Sequence, residues 1–142
     1  MTNDNQVFID DIRDPSWVYG FGTDSQWVVV RSGFEFTKWV ETNGLPKVIS
    51  YDHDLGGVDE NGNEVDPATV PSGMDCAHYV VNYCLDHNVP LPECRIHTAN
   101  SVGRDNLMGL LEGFAKFQKE QGLIPGEVVR VSSNHSPPKI KP

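Results

Sequence analysis

The segment VISYDHDLGG, residues 48–57, is an apolar run that stops on three ionisable side chains, Asp52, His53 and Asp54. Two carboxylates around an imidazole are costly to crowd together unless a cation shares the space. Two other short runs end in a similar way. QVFID (6–10) leads into Asp10, Asp11 and Arg13, and CRIHT (94–98) ends in His97 and Thr98, with Asn100 next. A divalent cation would relieve the repulsion among Asp10, Asp11 and Asp52, which makes these three the candidate ligands for Mg²⁺ or Mn²⁺, ions that prefer oxygen donors. No H-x-x-x-H or Cys pair supports zinc. His53 and His97 are the candidate acid–base pair, because imidazole titrates near neutrality. Asp54 and Thr98 stand beside them as further catalytic candidates.

Other residues suit a phosphate or a base. Arg104, in ANSVGRDN (99–106), follows Gly103 at the first turn of an expected helix, where a phosphate can sit. Arg13 and Asn100 would add donors. Trp17 and Tyr19 either stack on a nucleobase or plug a gap in the core.

The elements that must carry these groups are legible as periodicities. Strands are expected at 6–10, 27–32, 47–52, 94–98 and 127–133. Ser32 and Glu35 form a capping-box pattern ahead of Phe36, Trp39 and Val40, and Asn43-Gly44 ends that helix. Ser72 and Asp75 open a second helix carrying Ala77, Val80, Val81, Cys84 and Leu85. Leu107, Leu110, Leu111 and Phe114 mark a third. The order β-β-α-β-α-β-α-β implies an α/β domain with a mostly parallel five-stranded sheet covered on both faces. Ligands of such sheets bind beyond the carboxyl ends of the strands, where all three clusters fall. Residues 11–26 show no helical period and are expected to form a loop in place of the first helix. Residues 56–71 read as a second long loop with a type I′ hairpin turn at Asn61-Gly62. Its acids do not form a calcium loop, because Gly62 is at the wrong offset.

Composition bounds the rest. The 142 residues suit one domain, 1–135, followed by a Pro-rich tail, 136–142. A net charge of −9 argues against general DNA or RNA binding, yet allows a small anionic ligand in one pocket. Cys76, Cys84 and Cys94 are odd in number and form no C-x-x-C, as expected of buried, reduced thiols in the cytoplasm. No apolar run is long enough to span a membrane, and MTNDNQVFID lacks the features of a secretory signal.

Four segments in order, FIDDIRDP, ISYDHDLGG, SGMDCAHYVV and IHTANSVGRDNL, resemble the cyclic-phosphate processing receiver domains. The resemblance covers residues 6 to 115. It implies a flavodoxin-like, CheY-like sheet of order 2-1-3-4-5 and a role on cyclic phosphates, either cyclic nucleotides or 2′,3′-cyclic ends of RNA. Carried over, the site residues are Asp10, Asp11, Arg13, Asp52, His53, Asp54, His97, Thr98, Asn100, Gly103 and Arg104. Tyr51 and Ser101 depart from the family's usual Leu and Pro without removing a chemical group. The leading expectation is a metal-dependent hydrolase that opens a cyclic phosphodiester. A non-catalytic pocket that sequesters a cyclic nucleotide is the second, and a regulatory receiver the third. A phosphorelay receiver would place Met-Pro after its phosphorylated Asp and Lys-Pro after its fifth strand, whereas here Asp52 is followed by His-Asp-Leu-Gly and the fifth strand runs into VSSNHS with no Lys.

Overall fold

A computed structural model describes residues 3–131. The strands are β1 (Gln6–Ile9), β2 (Val28–Val30), β3 (Val48–Tyr51), β4 (Glu93–Ile96) and β5 (Val128–Arg130). The helices are α1 (Pro15–Tyr19), α2 (Gly33–Asn43), α3 (Gly73–His87) and α4 (Ser101–Glu120). All strand pairs are parallel, in the order β2-β1-β3-β4-β5, which is the flavodoxin-like order. The central β3 is buried at all four positions, as its unbroken apolar sequence requires. Among the described residues no helix is long and apolar enough to cross a membrane.

The side chains of each strand alternate between two cores. Val7, Ile9, Ile49, Tyr51, Cys94 and Ile96 pack against α2, α3 and α4 through Phe36, Val40, Ala77, Val80, Leu107 and Leu111. Each large buried side chain contributes roughly 1.5–3 kcal/mol by area alone. The opposite face holds a smaller cluster, Phe8, Trp27 and Val48, covered by Val18 and Tyr19. The three long helices thus share one face, and α1 with its following turn covers part of the other. Leu85 is 53% exposed despite its spacing, because Cys84 already fills the inward position. Cys76, Cys84 and Cys94 are free and buried, and burial pushes the Cys76 and Cys84 thiols up to about 12.

Two expected loops differ in detail. Residues 11–26 contain α1 and a 3₁₀ turn, Asp24–Gln26. Pro15 starts α1, Gly20 (φ 105°) ends it, and Asp24 caps it from eight residues away by accepting from Ser16 N at 2.7 Å. Five residues are too few to show a helical period. The hairpin exists, with Val58 bridged to Glu64, but its turn is not type I′. Gly62 has positive φ and Asn61 does not. Asp59 Oδ1 accepts from the amides of Asn61 and Asn63, both at 2.9 Å, and winds a longer turn that Gly62 closes. The expected tail, His135 and the last residues assigned to β5 lie outside the described residues.

Helix caps follow the motifs. Ser72 and Asp75 make a reciprocal capping box on α3. Ser32 accepts from Glu35 N, but the Glu35 carboxylate turns back to Arg31 N instead of Ser32 N. Asn100 caps α4 by accepting from Gly103 N at 3.0 Å.

Candidate functional site

Register brings the three clusters together. Ile9 pairs with Tyr51 and Tyr51 with Ile96, so the next residues, Asp10, Asp52 and His97, leave the sheet side by side. Asp52 N donates to Ile9 O (2.9 Å) and His97 N to Tyr51 O (3.0 Å), which carries the ladder one step into the site.

Asp10 is fully buried and fully used. Its Oδ1 accepts from Ile12 N (3.0 Å) and Arg13 N (2.8 Å). Its Oδ2 accepts from Arg13 Nε at 2.9 Å and faces His97 Nε2 at 3.0 Å. Burial alone would raise its carboxyl, but the hydrogen bonds from His97, Arg13 and Ile12 outweigh that and hold it below the usual carboxylate range. Four partners fill the lone pairs of one carboxylate.

Asp52 is the opposite case. Burial and the neighbouring Asp10 raise it to about 7, against the Thr98 hydroxyl, Arg13 and the His53 amide. Arg13 Nη2 stands 3.7 Å from Asp52 Oδ1, too far for a hydrogen bond. Half-buried Asp11 is also raised, by burial and then by Asp10. Asp10, Asp11 and Asp52 each offer an oxygen within 4.8 Å of the others, an all-oxygen set suited to Mg²⁺ or Mn²⁺. Asp10 is saturated by protein donors, so Asp11 and Asp52 would be the more open ligands of such an ion, although Asp52 Oδ1 also accepts from His53 N at 2.9 Å.

On the other side of the site, His53 Nδ1 lies 3.0 Å from Asp54 Oδ1, and Asn100 Nδ2 donates to Asp54 Oδ2 at 3.2 Å. These bonds, His53 first, hold the Asp54 carboxyl low.

A cavity of about 310 Å³ opens here, lined by Asp11, Ile12, Arg13, Trp17, Asp52, Asp54, Thr98, Ala99 and Asn100. It therefore gathers acids, a guanidinium, a hydroxyl, an amide and an indole from three strand ends. Trp17 Nε1 is buried and has no hydrogen-bond partner among the described residues.

Several expected site residues sit elsewhere. His97 is completely enclosed, stacked on Phe8 at 4.4 Å, with Nδ1 2.7 Å from Ser50 Oγ and Nε2 on Asp10. It cannot reach a ligand in this arrangement, so the expected acid–base pair of His53 and His97 is not formed on the cavity wall. Tyr19 stacks on Trp27 at 5.0 Å and bonds Ser50 Oγ at 2.6 Å, which leaves its ring inside the second core and not on a base. Gly103 binds nothing directly; it makes room for the His53 ring. Asn100 serves first as a helix cap. Arg104 does not line the cavity, and its Nε has no hydrogen-bond partner among the described residues.

Two residues escaped the sequence reading. Arg31, the first residue after β2, donates to the carbonyls of Asp10 (3.3 Å) and Arg13 and pairs with Asp14 at 2.6 Å. It pins the loop that carries Arg13. Ser50 is a polar residue inside a fully buried strand, which was its signal.

The model of the cyclic-phosphate processing receiver domain matches residues 5–113. The chain belongs to this family. No curated protein and no solved structure matches it. Within this receiver domain the matched span holds every lining residue of the cavity, from Asp11 to Asn100.

Proposed function

We propose that this receiver domain binds a small cyclic phosphate ester in the 310 Å³ cavity and opens its ring with the help of a divalent ion. The observation that supports this best is the facing of opposite charges. Asp11 and Asp52 stand as open carboxylates beside Arg13, with Thr98 and Asn100 as neutral donors. A cavity of this size suits one small ligand. Asp11 and Asp52 would hold Mg²⁺ or Mn²⁺, which would supply Lewis acidity and neutralise phosphoryl charge. Arg13 would bind a non-bridging phosphate oxygen. Trp17, with its unpaired Nε1, and exposed Ile12 would form the wall against a base.

Ring opening adds water across one P–O bond. The hydroxyl goes to phosphorus, and the proton ends on the leaving ester oxygen. Asp54 lines the cavity, stays ionised, and has His53 Nδ1 at its back. In this reading Asp54 would take the water's proton and return it to the leaving oxygen.

Sequestration of a cyclic nucleotide is the second reading. The sealing of His97 favours it, because the cavity then contains no imidazole. Turnover decides between them. Incubation with 2′,3′- and 3′,5′-cyclic nucleotides and with RNA ending in a 2′,3′-cyclic phosphate, with Mg²⁺, Mn²⁺ or chelator, should yield a linear monophosphate only with metal. A ligand that binds and is recovered intact after long incubation with either ion would replace the enzyme by the sequestering protein.

A further inference from the structure

Beneath the cavity runs an unbroken chain of short polar contacts. Tyr19 Oη is 2.6 Å from Ser50 Oγ, and Ser50 Oγ is 2.7 Å from His97 Nδ1. His97 Nε2 is 3.0 Å from Asp10 Oδ2, the oxygen that also accepts from Arg13 Nε at 2.9 Å. Ser50, His97 and Asp10 are all fully buried. The chain starts on the sheet face under α1 and ends on Arg13, which lines the cavity.

The direction of each bond follows from chemistry. Arg13 already supplies the counter-charge of Asp10, so a second buried cation at His97 would be costly. A neutral imidazole carries one N–H. Asp10, as a carboxylate, only accepts, so His97 must bear its hydrogen on Nε2. Nδ1 is then bare and accepts from the Ser50 hydroxyl. Ser50 has spent its only hydrogen, so its oxygen accepts from the Tyr19 hydroxyl. One tautomer of His97 satisfies every group.

We infer that Tyr19 and Ser50 are positioning residues, which act through His97 and Asp10 to hold Arg13 on the cavity wall. Asp10 grips Arg13 twice, at the backbone amide and at Nε, so a shift of Asp10 moves Arg13 with it. The significance of Arg13 for function rests on the reading above that it binds the ligand's phosphate; the positioning itself does not.

The experiment is ¹⁵N NMR of the histidine rings and of the Arg13 Nε–H group in the full chain without ligand. Wild type should show His97 as the Nε2–H tautomer and an Arg13 Nε–H that exchanges slowly with water. Ser50→Ala should give mixed tautomers and speed that exchange roughly five- to tenfold, the effect expected of one lost hydrogen bond. Ser50→Thr, which keeps the hydroxyl, should restore the wild-type pattern. Tyr19→Phe removes only the outermost hydroxyl, should shift His97 in the same direction by less, and carries the test if Ser50→Ala does not fold. An Nδ1–H tautomer in wild type, or Arg13 exchange unchanged in the folded variants, overturns the inference. Failure of wild type to bind any cyclic nucleotide would instead remove the functional reading, and the NMR result would still decide the positioning.

Discussion

A Cβ built on Gly103 would stand 2.4 Å from Cγ of His53, so the imidazole lies directly on the first turn of α4. No side chain fits between them. This contact holds His53 against Asp54, and Asp54 in turn is tied to the α4 cap, Asn100. Gly103→Ala should therefore displace His53 and cost ~1–3 kcal/mol, as overpacking does. Thermal unfolding checks the cost, and a melting temperature equal to wild type would mean that His53 swings aside freely.

Asp52 links stability to pH. Its carboxyl rises from 3.8 to about 7 on folding, so the folded protein binds this proton more tightly than the unfolded chain. Its contribution is complete below about pH 4 and is lost as the pH climbs to about 7. The loss is on the order of 4 kcal/mol. Asp10, whose carboxyl is lowered, works in the other direction and loses its contribution only as the pH falls through that lowered value. Without divalent ions, Asp52→Asn should flatten the fall in stability between pH 4 and 7 and melt higher than wild type at pH 8. Added Mg²⁺ or Mn²⁺ should stabilise wild type at pH 8 by mass action and leave the variant nearly unmoved. Parallel pH profiles for the two proteins would sink the assignment of Asp52 as the strained acid.

Asp52 occupies the strand end that a phosphorelay receiver would phosphorylate, yet its surroundings differ. Among the described residues no lysine lines the cavity, so an aspartyl phosphate there would lack the lysine counter-charge of a phosphorelay receiver. Incubation with a small phosphodonor and Mg²⁺ should leave the intact mass unchanged. A stoichiometric gain of one phosphoryl group, absent in Asp52→Asn, would restore the receiver reading.

Much of this arrangement is legible in the chain, and the misplacement of His97 has one cause. Short apolar runs ending in acids or imidazoles locate β1, β3 and β4 and, through the parallel-sheet rule, the edge where Asp10, Asp52 and His97 meet. The runs alone do not say which face each side chain takes. Along β4, Cys94 and Ile96 point to α3 and α4, so Arg95 and His97 belong to the opposite face. That period-two alternation already separates His97 from His53, and it pairs His97 with Ser50 of β3. Ending a strand does not by itself make a residue face the ligand. Arg31 ends β2 as Asp10 ends β1 and follows from the same rule. Asp10 and Asp11 cannot be told apart from composition; only the turn that aims Ile12 N and Arg13 N at Asp10 makes one saturated and the other open. α1 is invisible because Asp24, distant in sequence, caps it.

The hairpin after β3 bears on the site through its first glycine. None of residues 56–71 lines the cavity. Gly56 has φ 70°, and a Cβ there would lie 3.0 Å from Asp11 Oδ2. A side chain at 56 would thus be strained in backbone and would press on an open carboxylate of the proposed metal set. Gly56→Ala should weaken Mn²⁺ binding ~10- to 100-fold, the usual effect of disturbing a ligand's support. Shortening the turn between Asp59 and Asn63, by contrast, should leave Mn²⁺ affinity and cyclic-nucleotide affinity nearly as they are, because its hydrogen bonds are local. Paramagnetic titration with Mn²⁺ measures both proteins. Equal affinities for Gly56→Ala and wild type would remove Asp11 from the ligand set, and a large loss on trimming the turn would make the hairpin part of the site.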